Sequence, residues 1–173
     1  MKRNLLVAGL CAGLVAAAAV ATAQAAEWRA TMAGLGPIRV GMSVAQLERA
    51  LGTRLPETQD ESEDACRQVE AGARFPGTSV MLVDGRVARI DVSERGFFTL
   101  SGAAVGDTQA SVLKRYGRRI SAQTHIDGVD DSQVLTMFSS DRRLGIRFET
   151  DGERVTSYYF GNARAVQFPE GCL

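Results

Sequence analysis

A chain of 173 residues with 20 basic and 20 acidic side chains has no strong charge in either direction. That balance argues against a general nucleic-acid binder, which normally carries a strongly basic face. Three cysteines and one histidine leave little material for a metal centre, since no Cys-x-x-Cys occurs and His125 has no histidine partner.

The N-terminus opens with Lys2 and Arg3, continues as an apolar run from Leu5 to Ala23, and closes on Ala23-Gln24-Ala25. A basic start, an apolar centre and a small-x-small end are the marks of a secretory signal peptide, and residues 1–26 are read as one, cleaved near Ala25/Ala26. A transmembrane anchor fits less well, because no basic cluster follows the run. Leu10 before Cys11 does not match a lipoprotein signal, so the expected product is periplasmic or secreted, with no membrane-spanning segment. Cys11 leaves with the signal. Cys66 and Cys172 remain, and in an exported chain they are expected to form one disulfide. Such a bridge closes a loop of roughly one hundred residues and stabilises by about 2–4 kcal/mol.

After the signal, Trp28 and Met32 can cover one end of a core, and Gly34, Gly36 and Pro37 mark a turn. Val40-Gly41-Met42-Ser43 then starts a short helix. Ser43 is a good N-cap, Gln46 completes a capping box, Val44, Leu47 and Leu51 recur at helical spacing, and Gly52 is the stop. The acidic stretch Glu57, Asp60, Glu61, Glu63, Asp64 reads as a solvated loop rather than a calcium site, for want of EF-hand spacing. Strands follow from Cys66 to Val69, from Ser79 to Val83 and from Arg86 to Val92, the last two joined by the hairpin signal Asp84-Gly85. In the last strand Ala88, Ile90 and Val92 are expected to point inward.

Phe97, Phe98 and Leu100 are expected to pack between this unit and a second one, because the chain repeats itself at an offset of 65 residues. Val40/Val105, Gly41/Gly106, Ala45/Ala110, Gly52/Gly117 and Arg54/Arg119 match, where average usage gives roughly one match by chance. Thr108 caps a second helix that stops at Gly117. A polar connection from Arg118 to Asp131 leads to a strand from Val134 to Ser139. Leu144, Ile146 and Phe148 alternate with Gly145, Arg147 and Glu149, and Asp151-Gly152 turns the chain into a return from Val155 to Phe160. The fold class this predicts is α+β: two tandem helix-plus-antiparallel-sheet repeats, residues 27–95 and 96–173, their strands in two sheets or one continuous curved sheet, packed together because neither alone has an adequate core.

The Gly-Met-Ser turn feeding a short helix that ends at Leu-Gly resembles the opening of the SmpA/OmlA group. Those small envelope lipoproteins accompany the outer-membrane β-barrel assembly machinery. Two such units in tandem are also similar to the β-lactamase-inhibitory-protein fold, whose paired repeats present a concave sheet face to a partner. The match covers residues 38–52, and 103–117 in part, since Asp107 replaces the methionine. The chain departs from the lipoprotein group in lacking a lipobox and carrying two units. What the resemblance implies is a fold and, through it, a binding face.

No catalytic constellation is apparent. His125 sits in a polar connection with no nucleophile elbow nearby, and no phosphate loop or zinc motif occurs. No cofactor or metal is expected. A hydrolytic enzyme is the third-ranked reading, with either His125 as the base for a serine or Glu149 and Asp91 as paired carboxylates on one sheet face. The basic group Lys114, Arg115, Arg118 and Arg119, with Arg142-Arg143, can meet an anionic partner or simply favour a helix C-terminus. The better candidate is the outward sheet face. If Ala88, Ile90 and Val92 point in, then Thr156, Tyr158 and Phe160 do too, leaving Arg89, Asp91, Arg147, Glu149 and Tyr159 together on the other side. Tyrosine and arginine are typical interface anchors. The expected function is therefore an exported, non-catalytic binding module, monomeric or weakly oligomeric, that engages an envelope protein. Binding of an envelope glycan is the alternative.

Overall fold

The structure is a computed structural model that describes residues 28–56, 65–125, 131–168 and 171–172. The expected signal peptide, the acidic stretch from Glu57 to Asp64 and residues 126–130 lie outside the described residues. Among the described residues no helix is long and apolar enough to cross a membrane.

Three two-residue strands come first: β1 (Arg29–Ala30), β2 (Gly34–Leu35) and β3 (Ile38–Arg39). Helix α1 (Val44–Leu51) follows, then β4 (Cys66–Glu70), β5 (Thr78–Val83), β6 (Arg86–Val92) and β7 (Phe98–Thr99). Helix α2 (Gln109–Tyr116) precedes β8 (Ser121–Thr124), β9 (Gln133–Phe138), β10 (Leu144–Thr150) and β11 (Val155–Asn162), and 3₁₀ turns occupy Gly117–Arg119 and Ala165–Gln167.

The expectation of two tandem helix-plus-sheet repeats is corrected. The fold is mainly β: among the described residues seven strands form one antiparallel sheet in the order β4-β5-β6-β11-β10-β9-β8, and the two helices have only eight residues each. The physical reason is a seam. β6 pairs with β11 through Tyr158↔Val92, Tyr159↔Asp91, Phe160↔Ile90 and Gly161↔Arg89. Strands from both ends of the sequence therefore share one hydrogen-bonded ladder, with no sheet boundary between them. Gly161 sits where that ladder is tightest. A Cβ built there would lie 2.2 Å from the Ala88 carbonyl oxygen and 2.8 Å from the Arg89 Cα, closer than real side chains come.

What recurs within the sheet is a latch between each helix-starting turn and the first residues of a strand. The Gly41 N–H donates to the Val87 carbonyl at 2.7 Å, and the Val87 N–H donates back to Met42 at 2.8 Å. The Gly106 N–H donates to Val155 at 2.9 Å, and the Val155 N–H to Asp107 at 2.9 Å. Arg86 and Arg154 each add a guanidinium bond to the glycine carbonyl, at 3.2 and 3.0 Å. Both glycines need the left-handed backbone, with φ of +87° and +88°. At Ser43 the capping box is complete in both directions, and Thr108 accepts from the Ser111 N–H.

One β-bulge per latch strand adjusts the inward set. In β6 the pairing jumps from Met81↔Arg89 to Leu82↔Val87, and in β11 the partners jump from Glu149↔Ser157 to Thr150↔Val155. Ala88 and Thr156 are the extra residues, so the buried Val87 and Val155 take the inward places expected of them. From the bulge onward the alternation holds: Ile90, Val92, Tyr158 and Phe160 are fully buried.

Leu47 and Leu51 of α1 and Val112 and Tyr116 of α2 share one core with Val80, Leu82, Ile90, Phe148, Tyr158 and Phe160 of the sheet. Tyr116, Phe148, Tyr158 and Phe160 form a file of rings with successive centroids 5.5, 5.5 and 6.1 Å apart. Trp28 closes one end by stacking on Phe75 at 4.9 Å. Of the linker side chains, Phe97 is buried, whereas Phe98 and Leu100 are 44% and 72% exposed and do not pack as expected. β7 pairs with β1, and that pairing turns Thr99 inward instead.

At Gly41 nothing lies within 4 Å of an added Cβ, so Gly41→Ala should cost only the left-handed backbone penalty of about 1–2 kcal/mol. Gly161→Ala must also open the seam and should cost more. Urea unfolding of the two variants checks the order, and equal or negligible losses would contradict it.

Candidate binding face

The helices cover one side of the sheet, and the other side carries the predicted residues. Cross-strand register puts Arg147 opposite Tyr159 and Tyr159 opposite Asp91, with Arg89 and Glu149 two positions away on the same side. The five side chains are in one cluster. Tyr159 is its hub, with the Arg89 guanidinium 4.3 Å and the Arg147 guanidinium 6.0 Å from the ring centroid. The Tyr159 hydroxyl donates to Glu149 Oε1, and Arg147 Nε donates to the same oxygen at 3.1 Å.

The cluster is not the open surface that alternation alone suggests. Arg89 is 2% exposed and Tyr159 3%, because the C-terminal tail crosses this end of the face. Arg89 donates to the carbonyls of Ala165 and Phe168 in that tail, while Nε and Nη2 form a two-point pair with Asp91 at 3.1 and 2.8 Å. Val166 is buried against the sheet, over Gly145, where a Cβ would meet it at 2.9 Å. A disulfide joins Cys172 to Cys66 on β4, with Cα atoms 5.5 Å apart, so the expected bridge is present and straps the tail to the sheet edge. Arg89 and Asp91 thus clasp the tail rather than face a partner. Nothing in strand periodicity signals that a tail will return over the face. The signal available was Cys172, whose bridge to Cys66 brings the C-terminus to this edge.

Arg147 and Glu149 lie beyond the tail, with 15% and 16% of their side chains exposed. His125 joins them. Its Nε2 is 3.7 Å from Glu149 Oε2, and its imidazole is one-third exposed. Sequence reading left His125 in a loop; the structure brings it to Glu149 through β8, which lies inside the predicted connection. All four residues of β8 are exposed, so it shows no apolar alternation by which to find it. Glu149 Oε2 is itself buried and accepts no hydrogen bond from a described residue. One carboxylate oxygen thus accepts two hydrogen bonds while the other has no donor among the described residues, although a buried carboxylate oxygen normally has one.

Burial, and after it the hydrogen bond to the Glu149 carboxylate, raises the Tyr159 phenol well above its ordinary range. Burial likewise raises the Asp91 carboxyl, and the charge of Arg89 opposes that rise. Tyr159 is therefore a protonated donor at any ordinary pH. Among the described residues no serine, threonine or cysteine side chain is hydrogen-bonded to the His125 imidazole, whose backbone N–H donates to the Ser132 carbonyl. No group of three or more His, Cys, Asp or Glu side chains is placed to hold a metal ion among the described residues. The basic residues Lys114, Arg115, Arg118 and Arg119 are exposed at the end of α2 and its 3₁₀ extension, apart from this cluster, and Arg115 lies 3.6 Å from Asp107.

No family model matches the chain, and no curated protein matches it. Among solved structures, the crystal structure of the uncharacterized protein yfeY from Escherichia coli is similar at 12% identity. Its TM-score is 0.47, over 78% of this chain and 99% of that one. A likeness so distant carries no argument about function, and it makes no link to the SmpA/OmlA group or the β-lactamase-inhibitory-protein fold.

Breaking the clasp tests its role. Arg89→Ala leaves Asp91 buried without its partner and takes the guanidinium from the Ala165 and Phe168 carbonyls, the first of which keeps only the Phe168 N–H, a loss of about 3–5 kcal/mol for a buried pair. Urea unfolding gives the cost, and hydrogen exchange at residues 163–168 should quicken by more than it does in β9. An exposed-surface role for Arg89 predicts neither change.

Proposed function

We propose that the protein is an exported, non-catalytic binding module that engages a protein of the bacterial envelope through the open end of its polar sheet face. The contact group is narrower than the five predicted residues. Arg147, Glu149 and His125 meet the partner, while Arg89, Asp91 and Tyr159 hold them in place from behind. The observation that carries the reading is Glu149 Oε2, buried with no hydrogen bond beside a carboxylate oxygen that already accepts two. A partner that moves the one-third-exposed His125 imidazole aside, 3.7 Å from that buried oxygen, and brings a lysine, an arginine or a backbone N–H in its place relieves an unmet acceptor, a gain of about 1–3 kcal/mol. Because Tyr159 and Arg147 already fix the carboxylate, little ordering cost is added on binding.

The glycan alternative gains less from this geometry. Sugar hydroxyls can serve as donors to Glu149, but sugar recognition commonly uses an exposed ring, and Tyr159 lies between two guanidinium groups with almost no free surface. Export and a periplasmic location rest on the sequence of residues 1–26, and the disulfide fits an oxidising compartment.

The test is capture from periplasmic extract by the wild-type chain, by Glu149→Gln and by Arg147→Ala. Glu149→Gln keeps the shape but puts an N–H or a neutral oxygen where the acceptor was. The reading expects one captured protein whose affinity falls at least about tenfold in both variants, with unfolding midpoints near that of the wild type. Equal capture by all three chains contradicts it, as does a glycan array on which the wild type binds and the extract yields no partner.

A further inference from the structure

The two edges of the seven-stranded sheet differ in a way that bears on association. The β4 edge is guarded: it carries the charged side chains Arg67 and Glu70, Arg67 Nη1 bonds to the Pro56 carbonyl at 3.0 Å, and Cys66 is tied to the tail. Charge and covering segments are the usual devices against edge-to-edge pairing. Among the described residues β8, at the other edge, has none of them. Its sequence is Ser121-Ala122-Gln123-Thr124, uncharged, without proline or a register shift, and every residue is exposed.

Hydrogen-bond alternation shows which backbone groups are spare. His125 N–H donates to the Ser132 carbonyl at 3.1 Å, and the β8–β9 register continues as Gln123↔Val134 and Ser121↔Thr136. In an antiparallel ladder alternate residues bond to the same neighbour, so Ser121, Gln123 and His125 face β9. The N–H and C=O groups of Ala122 and Thr124 point away from the sheet, and no described residue bonds to them.

We infer that β8 is a pairing edge for a second copy of this chain, β8 against β8 about a two-fold axis. Antiparallel pairing with Gln123 opposite Gln123 of the second copy sets Ala122 opposite Thr124 in both directions. That register uses every spare group, for four backbone bonds. Charge favours the same orientation. Arg118 and Arg119 are exposed just before β8, and the connection after it is acidic in sequence, ending at the exposed Asp131. Antiparallel pairing brings the basic end of one strand to the acidic end of the other, whereas parallel pairing sets like against like. The result is a continuous sheet across two chains that uses the outward backbone groups of Ala122 and Thr124 and no side chain of the Glu149 contact group, so it stands whether or not that group binds a protein.

A short strand edge buries less than a standard interface, so the dimer is weak, with a dissociation constant on the order of 0.1 mM. Sedimentation equilibrium on the chain from residue 27, together with amide exchange at Ala122 and Thr124, tests it. Association should rise with concentration, and both amides should slow as it does. Thr124→Pro removes one outward N–H per chain at an edge position that tolerates proline and should weaken association at least about tenfold. A charge exchange tests the same contact without touching the strand. Arg118→Glu/Arg119→Glu and Asp131→Arg chains should each associate less with themselves than the wild type, and should prefer each other when mixed. A monomer at about 1 mM overturns the inference, as does a dimer indifferent to both Thr124→Pro and the charge exchange.

Discussion

Four residue pairs between β6 and β11, from Tyr158 opposite Val92 to Gly161 opposite Arg89, hold the molecule's two runs of strands in one ladder. On the helix side this seam brings Ile90 and Val92 beside Tyr158 and Phe160, which completes the core over which both helices lie. On the other side it sets Arg89 and Asp91 beside Tyr159, and through Tyr159 beside Arg147 and Glu149. Backbone pairing at one place therefore builds the apolar core and the polar cluster together. Gly161 permits it, because any side chain there would collide with the neighbouring backbone.

The polar cluster divides by burial into two parts with different work. At the seam, Arg89 is spent on Asp91 and on two carbonyls of the returning tail, and the disulfide holds that tail to the β4 edge. A fully buried guanidinium with its donors so engaged belongs to the fold. Toward β9 the cover by the tail ends, and Glu149 stands with one oxygen fixed by Tyr159 and Arg147 and the other without a donor among the described residues. The clasp gives the open end its rigidity: Tyr159 is held between Arg89 and Arg147 and keeps its proton, so Glu149 is fixed by groups of the chain itself.

Local chemistry made much of this legible in the sequence. Ser43, Gln46 and Gly52 define the first helix by capping and termination, and the period-2 run from Leu144 to Glu149 places Arg147 and Glu149 on one side of their strand. The echo of Arg86-Val87 at Arg154-Val155 was visible, but its cause was not, because the latch to Gly41 and Gly106 is a contact between residues about 45 positions apart. The bulges at Ala88 and Thr156 shift the inward set by one and leave no mark on composition. Three features needed long-range information. The seam made one sheet where the internal repeat suggested two units. The tail buried half the predicted face. An uncharged, wholly exposed strand, β8, carried His125 to Glu149 with no apolar pattern to announce it.

The seam is the claim on which the rest stands, and cross-strand contacts seen by NMR test it most directly. Gly161 lies tight against the Arg89 backbone, which marks Arg89–Gly161, and two residues along Asp91–Tyr159, as the closely spaced pairs of the β6–β11 ladder. The account predicts strong Hα–Hα nuclear Overhauser contacts for both pairs. If both are missing while the contacts within β5–β6 and β10–β11 are present, the two runs of strands form separate sheets and the polar cluster has no common origin.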